Sequence, residues 1–395
     1  MSITPRPYQQ EAIDAAVQFL RTSKGQNGLM QLPTGSGKSI VIAGICKELA
    51  APTLVFQPSK EILAQNASKY RMYGGYCGIY SASAGEKRMS DVTFATIGSV
   101  VRKKHLLERF RYVIVDECHA VNAETGMYEE VLSHMGVPVV GMTATPYRLG
   151  RVFDDRGNTR SILKFLTRTR PRIFDKVIYH IQNRELFDAG YLAKLRYYEV
   201  KAVNRALLRT NSTGADYTDQ SVRQAYKDSG FHLKLAQVVN RLFHPEVGRK
   251  NCLVFTRFTE EARWLVQQVP GCAIVTAETP ANARDRIINA FRTGGIRCVA
   301  NVGILTTGFD YPELEAVVMA RPTMSLSLWY QVVGRGVRPH PDKADCMVVD
   351  MCGNLPMFGK VEDLELSAEG GWHIRSNGRQ LTNVPFGAAY SIQRP

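Results

Sequence analysis

Length, composition and charge already limit what this chain can be. Its 395 residues are enough for two or three domains, and 45% hydrophobic with 22% charged residues excludes a disordered chain. Lys and Arg outnumber Asp and Glu by 50 to 36. The formal net charge of +14 therefore favours a polyanionic partner, nucleic acid before a membrane surface.

Cysteine usage and the apolar runs indicate the compartment. The eight cysteines are scattered and no two have C-x-x-C spacing, which predicts buried free thiols rather than disulfides or a zinc site. No segment has the sustained apolarity of a membrane span, and the N-terminal residues do not resemble a signal peptide. We therefore expect a cytoplasmic protein.

The first predicted element is an amphipathic helix that begins near Pro7. Gln9 lies in its first turn and Arg6 just precedes it. A Gln amide can pair with the donor and acceptor edge of adenine, and an Arg can stack on the base. We expect both residues to contact adenine, although a plain helix start accounts for the same pattern.

A glycine-rich stretch, LPTGSGKS from Leu32 to Ser39, separates a predicted buried strand from a helix. Its backbone N–H groups can close around phosphate oxygens at the helix N-terminus, with Lys38 on the terminal phosphates and the Ser39 hydroxyl on Mg²⁺. The strict pattern G-x-x-x-x-G-K-[ST] fails only at Leu32. The residues expected to wrap the phosphates are Thr34, Gly35, Ser36 and Gly37.

Short apolar strands are predicted next at residues 53–56, 92–95 and 112–115, and the last leads directly into Asp116 and Glu117. Carboxylates at the carboxyl end of a buried strand lie where open α/β sheets bind ligands. Asp116 is expected to hold Mg²⁺, and Glu117 to activate the attacking water. A further strand at 138–142 ends in Thr143-Ala144-Thr145-Pro146, whose hydroxyls can relay hydrogen bonds.

The alternating pattern breaks down between residues 148 and 231 and then resumes. The region reads as a basic connector with a helical segment near Leu186 and a strand at 195–200. A second strand–helix alternation, which includes helices at 281–292 and 326–333 and strands at 316–320 and 346–350, predicts another parallel, helix-covered sheet. We therefore expect domains at 1–147 and 232–352, a connector at 148–231 and a C-terminal tail at 353–395.

Two stretches of the second predicted sheet face the expected nucleotide. The segment QVVGRGVR contains Arg335 and Arg338, which on a helix would share a face and could bind phosphate oxygens. The segment TTGFD from Thr306 contains Gly308 and Asp310, which we also expect at the nucleotide.

Taken in order, these stretches resemble the motifs of superfamily 2 helicases and translocases along nearly the whole chain. Leu32–Ser39 resembles motif I, Asp116–His119 motif II in its DECH form, and Gln331–Arg338 motif VI. The remaining matches are Gln57–Gln65 to motif Ia, Thr143–Pro146 to motif III, Leu253–Arg257 to motif IV and Thr306–Asp310 to motif V. Within the superfamily the chain looks most similar to RadD-like bacterial or phage DNA-repair ATPases. Those relatives carry a cysteine-rich C-terminal extension, whereas no cysteine follows Cys352 here, so we expect a minimal core or a shortened chain.

The resemblance implies an α/β protein of two tandem RecA-like domains, with parallel sheets covered by helices and an ATP cleft between them. It implies ATP and Mg²⁺ as cofactors, catalytic roles for Lys38, Glu117, Arg335, Arg338 and Gln331, and nucleic-acid contacts by Ser59, Thr96 and Arg257. The implied function is a monomeric, ATP-dependent helicase or translocase on single-stranded or branched DNA, in repair, recombination or replication. Recombination or single-strand-binding proteins would be its protein partners. An RNA helicase, and a DNA-stimulated ATPase clamp without strand separation, remain alternatives.

The connector contributes its own prediction. The segment from Arg148 to Lys176 contains nine basic and three acidic residues, so most of its cations cannot pair with an acid of the same segment. We expect Arg168, Arg170 and Arg172 to contact backbone phosphates of nucleic acid without reading sequence. A solvated charged surface is the alternative for this segment.

Overall fold

A computed structural model of the chain describes residues 4–122, 126–153, 157, 159–306 and 308–390. Its residues divide into two compact units, each built from three segments. The first unit comprises Met1–Arg148, Leu163–Gln182 and Leu366–His373, and the second comprises Leu149–Ile162, Asn183–Glu365 and Ile374–Pro395.

The first half of the chain alternates strands with helices. Its helices are α1 (Pro7–Thr22), α2 (Lys38–Leu49), α3 (Lys60–Met72), α4 (Ile97–Val100) and α5 (Met127–Met135). Its strands are β1 (Gly28–Gln31), β2 (Thr53–Phe56), β3 (Gly78–Ser81), β4 (Glu86–Lys87), β5 (Val92–Ala95), β6 (Tyr112–Asp116), β7 (Val139–Thr143), β8 (Tyr147–Phe153), β9 (Thr159–Phe165) and β10 (Lys176–His180). Strands β8 and β9 form a separate two-stranded sheet, and the rest form one sheet of eight.

The eight-stranded sheet has the order β10-β1-β7-β6-β2-β5-β3-β4, and only β4 runs antiparallel to its neighbour. Strands β1, β2, β5 and β7 are buried along their whole length, which explains their continuous apolar runs: helices cover both faces of a parallel sheet. Because these strands are parallel, the residues that follow β1, β2, β6 and β7 meet at one edge of the sheet.

The second unit contains another strand–helix alternation. Its helices are α6 (Asn183–Asp188), α7 (Asp219–Asp228), α8 (Phe231–Phe243), α9 (Thr259–Gln268), α10 (Ala281–Arg292) and α11 (Leu326–Val333). Its strands are β11 (Leu195–Glu199), β12 (Cys252–Thr256), β13 (Cys272–Val275), β14 (Cys298–Asn301), β15 (Ala316–Ala320) and β16 (Cys346–Asp350). They form an all-parallel sheet in the order β11-β16-β15-β12-β14-β13, whose one face packs against α7, α8 and α9 through residues such as Phe231 and Val254.

Residues 148–231, expected to form a connector, are divided between the two units. Lys176 pairs with Gly28, so β10 extends the first sheet beyond β1. Leu195 pairs with Cys346, so β11 closes one edge of the second sheet. Both strands are half-exposed, as is usual at a sheet edge.

The predicted tail beyond residue 352 contains ordered elements. They are α12 (Asn354–Phe358), β17 (Leu364–Ser367), β18 (His373–Ser376), β19 (Arg379–Gln380) and α13 (Phe386–Ala389). The three strands form a small sheet, in which β18 and β19 are antiparallel. Phe358, Leu364 and Leu381 are buried, so these elements have apolar packing of their own.

Two expectations about composition can be checked directly. All eight cysteines are free thiols, and all but the half-buried Cys272 are buried, which confirms the prediction for them. Among the described residues, no helix combines the length and apolar character that a membrane span requires.

Candidate active site at the carboxyl edge of the first sheet

The phosphate loop joins β1 to α2 and depends on glycine at two positions. Gly35 and Gly37 have φ angles of +85° and +81°, a left-handed conformation that side chains disfavour. A Cβ atom on Gly37 would also lie 2.4 Å from the Nε2 atom of Gln9. Gly37 is the N-cap of α2, so the loop presents the start of that helix, where N–H groups lack partners within the helix.

Leu32, where the strict motif has glycine, has a structural role. Its side chain is fully buried, and its N–H donates to the carbonyl of Thr143 at 3.0 Å, which extends the pairing of β1 with β7 by one residue. The loop therefore turns only after Leu32, and the departure from the motif leaves the residues from Thr34 to Ser39 in a phosphate-loop geometry.

Lys38 and Glu117 form an ion pair at this edge, with 3.5 Å between Nζ and Oε1. The pair is largely shielded, since the two side chains are 14% and 21% exposed. Burial alone would raise the pKa of Glu117, but Lys38 and His119 outweigh it and hold that pKa below its ordinary value. Glu117 is thus an anion positioned beside the lysine expected to bind phosphate.

The backbone at Glu117 is held in an uncommon conformation. Its φ angle is +49°, in the left-handed region that costs a non-glycine residue roughly 1–2 kcal/mol. The turn follows β6 directly and brings the Glu117 N–H to 2.9 Å from the Oδ1 atom of Asp116. Strain of this kind often accompanies functional groups, because the surrounding structure must enforce it.

Asp116 is the last residue of β6 and is only 4% exposed. Burial and the charge of Glu117 raise its pKa, whereas Lys38 and the amide of Asn66 lower it. Its second oxygen, Oδ2, accepts a hydrogen bond from the Nδ2 atom of Asn66 at 3.0 Å. Asn66 is a residue of the site that the sequence does not single out.

Mg²⁺ is compatible with the groups at this edge. It needs few protein ligands when it binds together with phosphates, because it keeps several waters. Ser39 lies in the first turn of α2, after β1, and Asp116 ends β6, with only β7 between the two strands. A hydroxyl and a carboxylate at one edge of the sheet fit that requirement.

Thr143, the last residue of β7, is connected to Glu117 through His119. The Nδ1 atom of His119 lies 2.8 Å from the Oγ1 atom of Thr143 and 3.3 Å from the Oε2 atom of Glu117. The N–H of Thr145 donates to the same Thr143 hydroxyl at 3.0 Å. The threonines after β7 are therefore in hydrogen-bond contact with the motif that holds Glu117.

Gln9 contacts the phosphate loop directly. Its Nε2 atom donates to the carbonyl of Ser36 at 2.8 Å, and its Oε1 atom accepts from the N–H of Arg6 at 2.9 Å. The hydroxyl of Tyr8 donates to the same Ser36 carbonyl at 2.6 Å, a contact the sequence analysis missed. Adenine recognition by Gln9 and Arg6 stays a prediction, whereas the support of the loop by Tyr8 and Gln9 is a feature of the fold.

The motif VI arginines lie in the second unit and do not share a helical face, so that expectation is wrong. Helix α11 ends at Val333, and Gly334 caps it, so both arginines belong to the segment that follows. Arg335 donates to the carbonyl of Gln331 at 3.2 Å and to that of Phe309 at 2.6 Å.

Arg338 forms an ion pair with Asp310. Burial lowers the pKa of Arg338 to about 10, so its side chain keeps its charge at neutral pH. Gly308 adopts a φ of +73° beside this pair, and Thr307 lies outside the described residues. Motif VI is therefore held by motif V within the second unit.

The residues expected to touch nucleic acid already have protein partners. Ser59 caps α3 by accepting from the N–H of Ile62, and Thr96 donates to the hydroxyl of Ser81 at 3.0 Å. Arg257, with a side chain 10% exposed, pairs with Asp216 at 3.2 Å and Asp219 at 2.9 Å. Nucleic-acid contact by these three residues stays a prediction.

Arg168, Arg170 and Arg172 are exposed in the first unit, between β9 and β10. Arg168 donates to the carbonyl of Gly370 at 3.3 Å, and Arg170 to that of Thr169 at 2.8 Å. Arg172 pairs with Asp175 at 3.1 Å. Of the other charged residues in the basic stretch, Asp154, Asp155 and Arg156 lie outside the described residues.

Two family profiles match the chain. Residues 2–148 match the profile "Type III restriction enzyme, res subunit", and residues 234–340 match "Helicase conserved C-terminal domain". Together they cover more than half of the chain. The chain belongs to the superfamily 2 helicases.

Individual relatives agree with this assignment. IRC3 of Saccharomyces cerevisiae, named as a candidate ATP-dependent helicase, is 25% identical over 380 residues, which are 88% of this chain and 51% of IRC3. XPB2 of Sulfurisphaera tokodaii, named a DNA 3′-5′ translocase, is 24% identical over 371 residues, 86% of this chain and 80% of XPB2. The chain thus spans about half the length of its yeast relative.

A solved structure shows the same fold. The DNA-bound, ATP-dependent Type ISP restriction-modification enzyme LlaBIII superimposes with a TM-score of 0.64 at 16% identity, over 89% of this chain and 28% of that one. This likeness confirms two RecA-like α/β domains. The profiles and relatives together support an ATP-hydrolysing enzyme of the helicase or translocase type.

Proposed function

We propose that this chain hydrolyses ATP and uses the free energy to move along DNA or to separate its strands. The observation that carries the proposal is the group of Lys38, Ser39, Asp116 and Glu117 at one edge of the first sheet. A phosphate-binding lysine, a hydroxyl, a buried carboxylate and a second, anionic carboxylate are the parts that phosphoryl transfer to water requires.

Each residue then has a distinct role. Lys38 and the loop backbone would bind the terminal phosphates, and its ion pair with Glu117 would open as the phosphates arrive. Ser39 and Asp116 would hold Mg²⁺, which neutralises charge on the phosphate oxygens. Glu117 would orient the attacking water and accept its proton, a role that suits a carboxylate kept ionised.

The second unit would contribute positive charge. Arg335 and Arg338 would stabilise the charge that develops on the transferred phosphoryl group, with Gln331, Gly308 and Asp310 also at the nucleotide. Their present partners include two carbonyl groups and one carboxylate of the same unit. Taking up this role therefore requires the arginines to exchange partners.

DNA is the proposed substrate for two reasons. The net charge of +14 favours a polyanion, and XPB2, with 80% of its length matched, is named a DNA translocase. Repair, recombination or replication would be the setting if the resemblance to RadD-like ATPases holds. The RadD-like assignment and the biological pathway belong to this proposal and not to the family assignment.

The test is ATP hydrolysis by the full chain with Mg²⁺, alone and with single-stranded DNA, forked DNA and single-stranded RNA of equal length. We expect DNA to stimulate hydrolysis more than RNA does. Glu117→Gln should bind ATP but hydrolyse it slowly, whereas Glu108→Gln, at an exposed position, should behave like the wild type.

The outcomes separate the alternatives. Greater stimulation by RNA would contradict DNA as the substrate. Stimulation by DNA without displacement of a labelled strand from the fork would indicate a translocase or clamp rather than a helicase. Undetectable hydrolysis under all conditions would contradict the proposed activity itself.

A further inference from the structure

Asn66 is a polar residue buried inside the first unit. It lies on α3 and is 1% exposed, although most polar residues on such a helix face water. Its Nδ2 atom donates two hydrogen bonds, to the Oε1 atom of Gln57 at 2.9 Å and to the Oδ2 atom of Asp116 at 3.0 Å. A buried amide left without partners costs about 1–3 kcal/mol, so these contacts define where Asn66 can sit.

The two acceptors belong to neighbouring strands. Phe56 of β2 pairs with Val115 of β6, so the next residues, Gln57 and Asp116, leave the two strands side by side. Asn66 reaches back from the second turn of α3 and bridges them. The Nδ2 atom of Asn66 therefore connects helix α3 to the end of β2 and to Asp116, the carboxylate proposed for Mg²⁺.

The backbone N–H of Gln57 donates to the carbonyl of Ala95 at 2.9 Å, and its side chain is held by Asn66. Its side chain is 1% exposed, and its Nε2 atom has no hydrogen-bond partner among the described residues. Two residues later Ser59 caps α3, with its hydroxyl accepting from the N–H of Ile62 at 3.3 Å. Any displacement of the turn from Gln57 to Ser59 would thus reach Asp116 through Asn66.

We propose that Asn66 is a positioning residue that orients Asp116 for Mg²⁺ and links it to the turn that precedes α3. This link rests on the proposed function. If nucleic acid binds at Ser59, the contacts through Gln57 and Asn66 connect it to Asp116, the carboxylate proposed for Mg²⁺. Asp116 then has one oxygen fixed by the Glu117 N–H and the other by Asn66. Because Asn66 is only 1% exposed, it would act through Asp116 and not by contacting nucleotide or DNA itself.

A purely structural role for Asn66 makes a different prediction. Loss of a buried hydrogen bond alone would lower stability but would leave the Mg²⁺ requirement and the response to DNA unchanged. Residues that orient a metal ligand instead change metal affinity or activity by about 10- to 100-fold when they are replaced. The readouts must therefore include Mg²⁺ dependence as well as folding.

The experiment uses Asn66→Leu, which keeps side-chain volume and removes the donor. Binding of a fluorescent ATP analogue is measured across a Mg²⁺ titration, and ATP hydrolysis is measured with and without single-stranded DNA. We expect the half-saturating Mg²⁺ concentration to rise about 10-fold or more, binding without Mg²⁺ to be unchanged, and stimulation by DNA to fall towards one-fold.

Two further variants keep the test decisive. Asn66→Ala loses the same donor without adding charge or apolar bulk, so it replaces Asn66→Leu if that variant does not fold. Asn240→Leu removes an asparagine from the exposed face of α8, where the amide donates to Gln268 at 3.3 Å, and should leave both readouts unchanged.

A folded Asn66 variant with wild-type Mg²⁺ dependence and wild-type stimulation would overturn the proposal. If the wild type itself responds to no nucleic acid, the proposed substrate fails, and with it the link to Ser59. The Mg²⁺ titration of nucleotide binding would still decide whether Asn66 orients Asp116.

Discussion

The carboxyl edge of the first sheet and the arginine segment of the second unit differ in what their charged groups contact. Lys38 pairs with Glu117, and both residues would act on the same substrate. Arg335 instead binds the carbonyl of Phe309, and Arg338 binds Asp310. The first site is thus assembled from groups that work together, whereas the arginines are occupied by their own unit.

The free energy of the Arg338–Asp310 ion pair bears on this difference. The Arg338 and Asp310 side chains are 25% and 39% exposed, and a partly exposed ion pair is worth about 1 kcal/mol or less. A guanidinium can therefore leave such a partner for a phosphate with little loss. The comparison teaches that the charged groups of the first unit already lie together, while the arginines of the second would have to exchange partners before they could act in the proposed role.

The largest effect is expected for Lys38→Ala in the first unit. No other cation contacts Glu117 among the ion pairs of the described residues except the ring of His119. We expect ATP turnover to become undetectable in a steady-state assay, whereas Lys24→Ala, at an exposed position, should leave it unchanged. Retention of more than a small fraction of turnover would place the phosphate site elsewhere.

The next effect concerns the arginines. Arg335→Ala or Arg338→Ala should lower kcat by roughly 10³ or more, with a weaker effect on KM, because their charge is needed as the phosphoryl group is transferred. Arg286→Ala, on the exposed face of α10, is the matched control. A loss of ATP affinity with kcat preserved would mean that these arginines bind the ground state only.

Arg257 is a third arginine of the second unit whose charge is bound by groups of the same unit. Its side chain is 10% exposed and bonded to two acids and to the carbonyl of Tyr217 at 2.6 Å. We expect Arg257→Gln to lower the free energy of unfolding by about 2–3 kcal/mol. Urea unfolding followed by tryptophan fluorescence can measure this, since Trp264 and Trp329 lie in the second unit.

The control for that measurement is Arg241→Gln. Arg241 pairs with Glu246 on the surface, where the side chains are 59% and 65% exposed, so the expected change is below about 1 kcal/mol. If the Arg257 variant were as stable as the wild type but bound DNA more weakly, Arg257 would instead contact nucleic acid, as the resemblance implies.

The elements that the sequence predicts correctly are those with a regular pattern of apolar residues along their whole length. Strands β5, β15 and β16 and helices α10 and α11 begin and end where the sequence predicts, because buried parallel strands are mostly apolar and the helices are amphipathic. Edge strands are different. Strand β10, KVIYH, mixes charged and apolar residues, so its pairing with β1 depends on a distant part of the chain and has no local signal.

The candidate site divides in the same way. Lys38 and Ser39 follow β1 after one loop, and Asp116 and Glu117 stand at the end of β6, so sequence order alone assigns them to one sheet edge. Asn66 and Tyr8 were missed because their contacts span 50 and 28 residues and their residue types suit an ordinary helix. A shared helical face for Arg335 and Arg338 would require the helix to continue past Val333, where the sequence itself predicts its end. Their contacts with Phe309 and Asp310 come from a distant part of the chain and have no local signal.

The smallest effect is expected for Arg168, Arg170 and Arg172 of the first unit, which contrast with Arg257 because their side chains are exposed. Replacing Arg168, Arg170 and Arg172 by Gln should weaken DNA binding and leave DNA-independent ATP hydrolysis near that of the wild type. Each lost phosphate contact lowers the slope of log K against log salt by about 0.7 to 0.9, so the slope should fall by up to about 2 to 3. Arg172 must first break its ion pair with Asp175, so we expect this residue to contribute the smallest change in slope.

The control for the salt titration removes the same charge elsewhere. Lys227, Arg241 and Arg286 are exposed in the second unit, and replacing all three by Gln changes the net charge equally. A general electrostatic effect would flatten both salt titrations alike, whereas contacts at the basic segment would flatten only the first. An unchanged slope in the first triple variant would mean that these arginines form a solvated surface, and the DNA path would then have to be sought among other cations of the chain.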